Sequence, residues 1–176
     1  MRFVPTPLPG VVAVELEPHA DARGSFARAY CEDEFHAAGL APVGVQCNLS
    51  ANPQHGTLRG LHWQADPAAE AKLVRCVRGR AFDVAVDLRP GSPTFRRWHA
   101  VELDSGRGNA LYVPEGCAHG FLTLADDTVL FYQMSVPYRP GLERGARWDD
   151  PAFAIAWPEA PRHIAPRDVA WPDFAG

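Results

Sequence analysis

The chain has 176 residues, 47% of them hydrophobic and 22% charged, the balance of one ordinary globular domain with a real core. A net charge of −4 without any basic run argues against a nucleic-acid binder. Prolines interrupt the opening M-R-F-V-P-T-P-L-P-G where a signal peptide needs an apolar run, and no segment approaches a membrane span, so a cytoplasmic protein with reduced thiols is expected.

In chain order, V-V-A-V-E-L (11–16) reads as the first strand. C-E-D-E-F-H-A-A-G (31–39) reads as a helix, acidic at its start and stopped by Gly39. G-T-L-R-G-L-H-W-Q (56–64) is apolar but carries Arg59 and His62, which regular alternation points to opposite faces. A bulge at Gly60 would insert one residue and turn both toward one cavity. Further strands are predicted at L-V-R-C-V (73–77), A-F-D-V-A-V-D-L (81–88) and W-H-A-V-E-L (98–103). A-L-Y-V (110–113), G-F-L-T-L (120–124) and T-V-L-F-Y-Q-M (128–134) continue the pattern. The proline-rich tail from Pro151 is expected to wrap the body as loop. Many short strands with little helix predict an all-β, closed or double-sheet fold in a single domain over residues 1–176.

Several polar residues interrupt these strands. Ala81, Asp83, Ala85 and Asp87 share one small, acidic face of their strand. Asp83 divides evenly between a cavity wall and a solvent face, and for Asp87 the solvent face is favoured. Lys72 shares a strand face with Val74 and Cys76, so it either snorkels to water or lines a polar cavity. Tyr132 lies on the face of Leu130 and Met134, the usual place of a core tyrosine with a satisfied hydroxyl. His119 sits between Gly116 and Gly120 and reads first as structural. His19, His36, His55, His99 and His163 fit no pattern and are assigned to surface or loop. Cys31, Cys47, Cys76 and Cys117 form no C-x-x-C pair and read as small buried residues. His62 has no histidine partner in its strand, so a metal site is the weaker hypothesis.

D-A-R-G-S-F (21–26), Q-C-N-L-S (46–50), R-G-L-H-W-Q (59–64) and A-K-L-V-R-C-V-R-G (71–79) come in order. D-V-A-V-D-L-R (83–89), V-P-E-G-C-A-H-G-F (113–121), Y-R-P (138–140) and W-D-D-P (148–151) follow. This series resembles the dTDP-4-dehydrorhamnose 3,5-epimerase family through nearly the whole chain. The resemblance implies a cupin-type jelly roll with one or two short helices, working as a homodimer without metal or organic cofactor. It implies epimerisation of a nucleotide-linked 4-keto-6-deoxy sugar at C3, C5 or both. His62 matches the family's base, Asp168 its partner, Tyr132 the acid on the opposite face, and Lys72 the cation near the C4 oxygen. His119 and Asp83 match positions around the pocket. Arg23, Phe26, Arg28, Gln46, Asn48, Arg59 and Tyr138 match positions that bind the nucleotide diphosphate or the sugar.

The chemistry suits these residue types. Protons at C3 and C5 are α to the C4 ketone, so removing either leaves an enolate. A histidine titrates near neutral pH and can take the proton. An aspartate at its far nitrogen fixes the tautomer. A lysine at the oxygen meets the developing charge. Inversion then needs a second proton donor on the other face. Arg28 stands where dTDP-using members commonly carry glutamate, which keeps CDP- and GDP-linked sugars open, and mono-epimerisation stays open because substrate pose and ring flexibility decide which carbon inverts. Two rival readings are a sugar-binding cupin without catalysis, and a metal-dependent cupin oxygenase using His62, His119 and Glu70.

Overall fold

The computed structural model describes residues 1–175. Strands β1 (Arg2–Pro5) and β2 (Val12–Glu15) open the chain, and β3 (His19–Asp21) and β4 (Gly24–Phe26) form a small hairpin. Helix α1 (Glu32–Ala37) leads to β5 (Gln46–Asn52), β6 (Thr57–Gln64), β7 (Lys72–Arg78), β8 (Arg80–Asp87) and β9 (Trp98–Asp104). β10 (Ala110–Val113), β11 (Cys117–Thr123) and β12 (Thr128–Met134) complete the body. The tail adds β13 (Glu143–Gly145), β14 (His163–Ile164) and the helical turn α2 (Pro166–Val169).

One sheet has the order β1-β2-β10-β7-β12-β5, and the other β13-β6-β11-β8-β9 with β14 added parallel to β6. Every remaining pairing is antiparallel. The inner faces meet in an apolar interior. Val74, Cys76, Leu111, Val113 and Leu130 come from the first sheet, and Ala81, Ala85, Leu103, Cys117 and Phe121 from the second. The result is an all-β, cupin-type jelly roll with two short helices. Each strand expected from the sequence forms, within a few residues of its expected ends.

The outer faces are covered unequally. On the first sheet α1 lays the fully buried Phe35 against Phe3, Tyr30 and Tyr112. There the Tyr112 hydroxyl accepts the Ala41 N–H at 3.1 Å, and burial pushes its pKa up to about 12. On the second sheet the tail packs Phe153, Ile155, Trp157 and Phe174 over Leu61, Val84, Val86 and Ala118. Both faces of β8 are therefore buried, which is why one of them is apolar and the other small.

Four expectations are corrected. The tail from Pro151 is not loop throughout, because β14 pairs with β6 and α2 follows it. Asp87 is not on a solvent face. Its carboxylate is fully buried and accepts from Arg89 Nε at 2.8 Å, Ser92 Oγ at 2.5 Å and Thr94 Oγ1 at 2.6 Å, because the turn after β8 folds back over the strand end. Burial pushes this carboxyl up, but those donors outweigh burial and hold it well below the usual carboxylate range. Cys76 and Cys117 are buried as expected, but Cys31 is half-buried and Cys47 is exposed, since β5 is an edge strand. Of the histidines assigned to surface or loop, His99 departs: it is half-buried on β9, where burial lowers its pKa.

Candidate active site

Strand β6, which carries Arg59 and His62, is bulged. His62 stands opposite His119 and Arg59 opposite Phe121, so β6 has one residue more than β11 across this stretch. Gly60 takes φ +126°, and a Cβ there would lie 2.5 Å from Gly120 Cα. Only glycine fits both requirements. The inserted residue sends Leu61 into the outer apolar layer and leaves Arg59 and His62 facing the same interior cleft. The bulge expected at Gly60 is present, and the two side chains converge.

The cleft has a volume of about 560 Å³ and opens between the sheets. Arg59, His62 and His119 project from the second sheet, and Asn48, Lys72 and Tyr132 from the first. Asp168 and Arg167 enter from α2, which β14 sets beside β6. His62 and Tyr132 thus stand on opposite walls.

His62 Nε2 lies 2.8 Å from Asp168 Oδ1, and the Gly60 N–H donates to Asp168 Oδ2 at 3.3 Å. Asp168 is 2% exposed. Burial raises its pKa, but the bond to His62, the Gly60 N–H and the Arg167 charge bring it below the usual carboxylate value. An ionised Asp168 can only accept, so Nε2 carries the hydrogen and Nδ1 is left to take a proton.

His119 forms a second pair, with Nε2 2.8 Å from Asp83 Oδ1. Asp83 is fully buried and its Oδ2 has no partner. Burial raises its pKa against the opposing pull of His119 and Lys72. The even odds on Asp83 resolve against the solvent face: it is buried behind His119, which itself lines the cleft. Tyr132 meets the His119 ring edge-on at 5.7 Å between centroids. Desolvation, and then the Asp83 charge, push its hydroxyl well above its ordinary pKa, with Arg59 acting the other way. Tyr132 is therefore a phenol throughout the neutral range. Lys72 does not snorkel: it is 6% exposed, its Nζ lies 2.9 Å from Glu70 Oε1, and it donates to the His62 carbonyl at 3.4 Å.

The other expected site residues divide into two groups. Arg59 donates from Nε to Asn52 Oδ1 at 2.9 Å, which braces its guanidinium at the cleft. Gln46 Oε1 accepts the Tyr138 N–H at 3.0 Å, and Gln46 Nε2 approaches Asn48 at 3.4 Å. Tyr138 lines a second cleft of about 350 Å³ that shares His62 and Arg167 with the first. Arg23, Phe26 and Arg28 are not brought to either cleft of their own chain. Arg23 pairs with Asp21 at 2.6 Å on the β3–β4 hairpin, Phe26 is 79% exposed, and Arg28 pairs with Glu34 at 2.6 Å.

Sequence reasoning missed Arg167, Glu143 and Trp171, which also line these clefts. Their signal was weak, because Arg167 and Trp171 lie in the tail that read as loop and Glu143 lies outside every predicted strand. Glu70, weighed only as a metal ligand, is bound to Lys72 instead.

A histidine bound to an aspartate and a protonated phenol face each other across a cleft with a buried lysine on its wall. Such a site can take a proton from one face of a carbon beside a carbonyl and return one to the other. A family model described as dTDP-4-dehydrorhamnose 3,5-epimerase matches residues 5–176. The chain is 45% identical over 165 residues to a Sinorhizobium fredii dTDP-4-dehydrorhamnose 3,5-epimerase, covering 93% of this chain and 84% of that one. It is 41% identical over 169 residues to a Streptomyces niveus dTDP-4-dehydrorhamnose 3-epimerase, covering 96% and 81%. The Legionella pneumophila dTDP-6-deoxy-D-glucose-3,5-epimerase, solved with dTDP-4-keto-L-rhamnose, superposes with a TM-score of 0.89 at 34% identity, covering 97% of this chain and 90% of that one. With fold, site and relatives in agreement, the chain belongs to the dTDP-4-dehydrorhamnose 3,5-epimerase family.

Proposed function

We propose that this protein is an isomerase that inverts C3 and C5 of dTDP-4-dehydro-6-deoxyglucose to give dTDP-4-dehydrorhamnose. The observation that carries the reading is the placing of His62 and Tyr132 on opposite walls of one cleft. His62 Nδ1 takes the proton α to the C4 ketone, and Asp168 stabilises the imidazolium that forms. Charge develops on the C4 oxygen and is met by the Lys72 ammonium. Tyr132 gives its phenolic proton to the other face of the same carbon. Arg59 and Arg167 at the cleft offer guanidinium forks to a diphosphate.

The names of the relatives support dTDP as the nucleotide. Arg28 does not weigh against it strongly, because Glu34 neutralises its charge on the spot. A C3-only reaction is the second reading, favoured by the 41% identity to a 3-epimerase.

A homodimer is the assembly we propose. Among the described residues Phe26, Val45, Leu49 and Val77 leave large apolar side chains bare, exposed by 79%, 65%, 69% and 48%. A second copy covers such side chains and gives the Arg23, Phe26 and Arg28 segment a cleft to reach. Unpaired thiols at all four cysteines fit the reducing cytoplasm.

The test is turnover of dTDP-4-keto-6-deoxyglucose in D₂O, followed by mass spectrometry and NMR. Deuterium is expected at C3 and C5, and His62→Ala is expected to abolish uptake at both. Uptake at C3 alone would make the protein a 3-epimerase. Tight dTDP-sugar binding without uptake at either carbon would replace the enzyme with a binding protein.

A further inference from the structure

Glu70 takes no part in the mechanism above, yet it is buried with the cation that does. It stands two residues before Lys72, and both side chains are 8% exposed. Glu70 lines the second cleft and Lys72 the first, while His62 lines both. The ion pair and the base therefore form the partition between the two clefts.

A lysine ammonium rides on four rotatable bonds, so the anion it meets decides where it points. Two carboxylates are within electrostatic reach of Lys72. One is Glu70, at 2.9 Å. The other is Asp83, whose charge couples to Lys72 and whose Oδ2 is buried without a partner. An unpartnered buried carboxylate oxygen is a strong lure for a nearby ammonium. Turning toward it would withdraw the cation into the interior, away from the strand that carries the base. In the structure Lys72 is not drawn there: with Glu70 bound, Nζ donates to the His62 carbonyl at 3.4 Å.

We infer that Glu70 is a positioning residue for the epimerisation proposed above, holding the Lys72 ammonium beside the His62 strand and away from Asp83. The inference rests on that reading of the site. Charge stabilisation of an enolate depends on where the cation stands when the charge appears, so misplacing it by about 1 Å is expected to cost on the order of 100-fold in rate.

The experiment compares the native protein with Glu70→Ala and Glu70→Gln. Deuterium-exchange kinetics give kcat and KM, and titration calorimetry with dTDP counts intact sites. Glu70→Ala is expected to lose about 100-fold in kcat per dTDP-binding site, with KM within about twofold of native. Glu70→Gln keeps an oxygen for Nζ to donate to and is expected to recover most of the rate. Native turnover in Glu70→Ala overturns the inference. So does a loss of dTDP sites in step with the rate, which marks a merely structural role. Failure of Glu70→Gln to recover also overturns it, by assigning the loss to charge rather than placement. No exchange in the native protein itself removes the epimerase reading and this inference together.

Discussion

Tyr132 keeps its proton because the space between the sheets offers a phenolate little water and sets the Asp83 charge nearby. Its pKa lies well above its ordinary value near 10, so the acid form persists from neutral pH up to about pH 10 and beyond. Tyr132→Phe is expected to lower formation of inverted product by about 10² to 10⁴, while His62 continues to wash deuterium into the original face. The ratio of native to variant rates should stay constant up to about pH 10, because the phenol does not ionise within that range. A ratio that collapses between pH 7 and 9 would take the acid's role from Tyr132. In the sequence this tyrosine read as core, and only the resemblance gave it chemistry. Its wall, its edge-on contact with His119 and its neighbour Asp83 lie on three different strands, drawn from both sheets.

The bulge in β6 was legible, because a glycine between an arginine and a histidine in an apolar strand has few other uses. Gly60→Ala is expected to cost about 3 kcal/mol or more, from a side chain at positive φ and a Cβ 2.5 Å from Gly120. Urea unfolding measures it, and a variant of native stability would show that the strand slips to accommodate the methyl. The loss of exchange activity should exceed the lost stability, since Arg59 and His62 would swing apart. β5 and α2 were not legible as elements. Q-C-N-L-S-A-N alternates poorly because it is an edge strand with little burial on one side. The four residues of α2 are too short for periodicity to register, though Pro166 marks their first turn. Asp87 was misread because its donors lie beyond the strand, in a turn that the alternation of β8 does not describe.

At the scale of the molecule, the all-β architecture was readable from strand spacing, but the pairing of sheets was not, because β6 and β11 lie more than fifty positions apart. The bare apolar side chains of Phe26, Val45, Leu49 and Val77 predict that the native protein sediments as two chains. If it does, Phe26→Ala is expected to raise KM about tenfold without lowering the thermal midpoint, as loss of one aromatic contact to substrate would. A monomer with native KM would leave Arg23, Phe26 and Arg28 without a binding role.

His62, the proposed base, hangs from one sheet and Tyr132, the proposed acid, from the other, so the packing between the sheets sets their separation. That layer is made partly of very small side chains, Ala81, Ala85, Cys76 and Cys117. None of them lines the main cleft. In the proposed reaction they have the place of a spacer: one added methylene at Ala85 is expected to widen the gap that a proton acceptor and a proton donor must bridge on either side of a single carbon. The rate of inversion would then answer to packing at a residue that touches no reacting group.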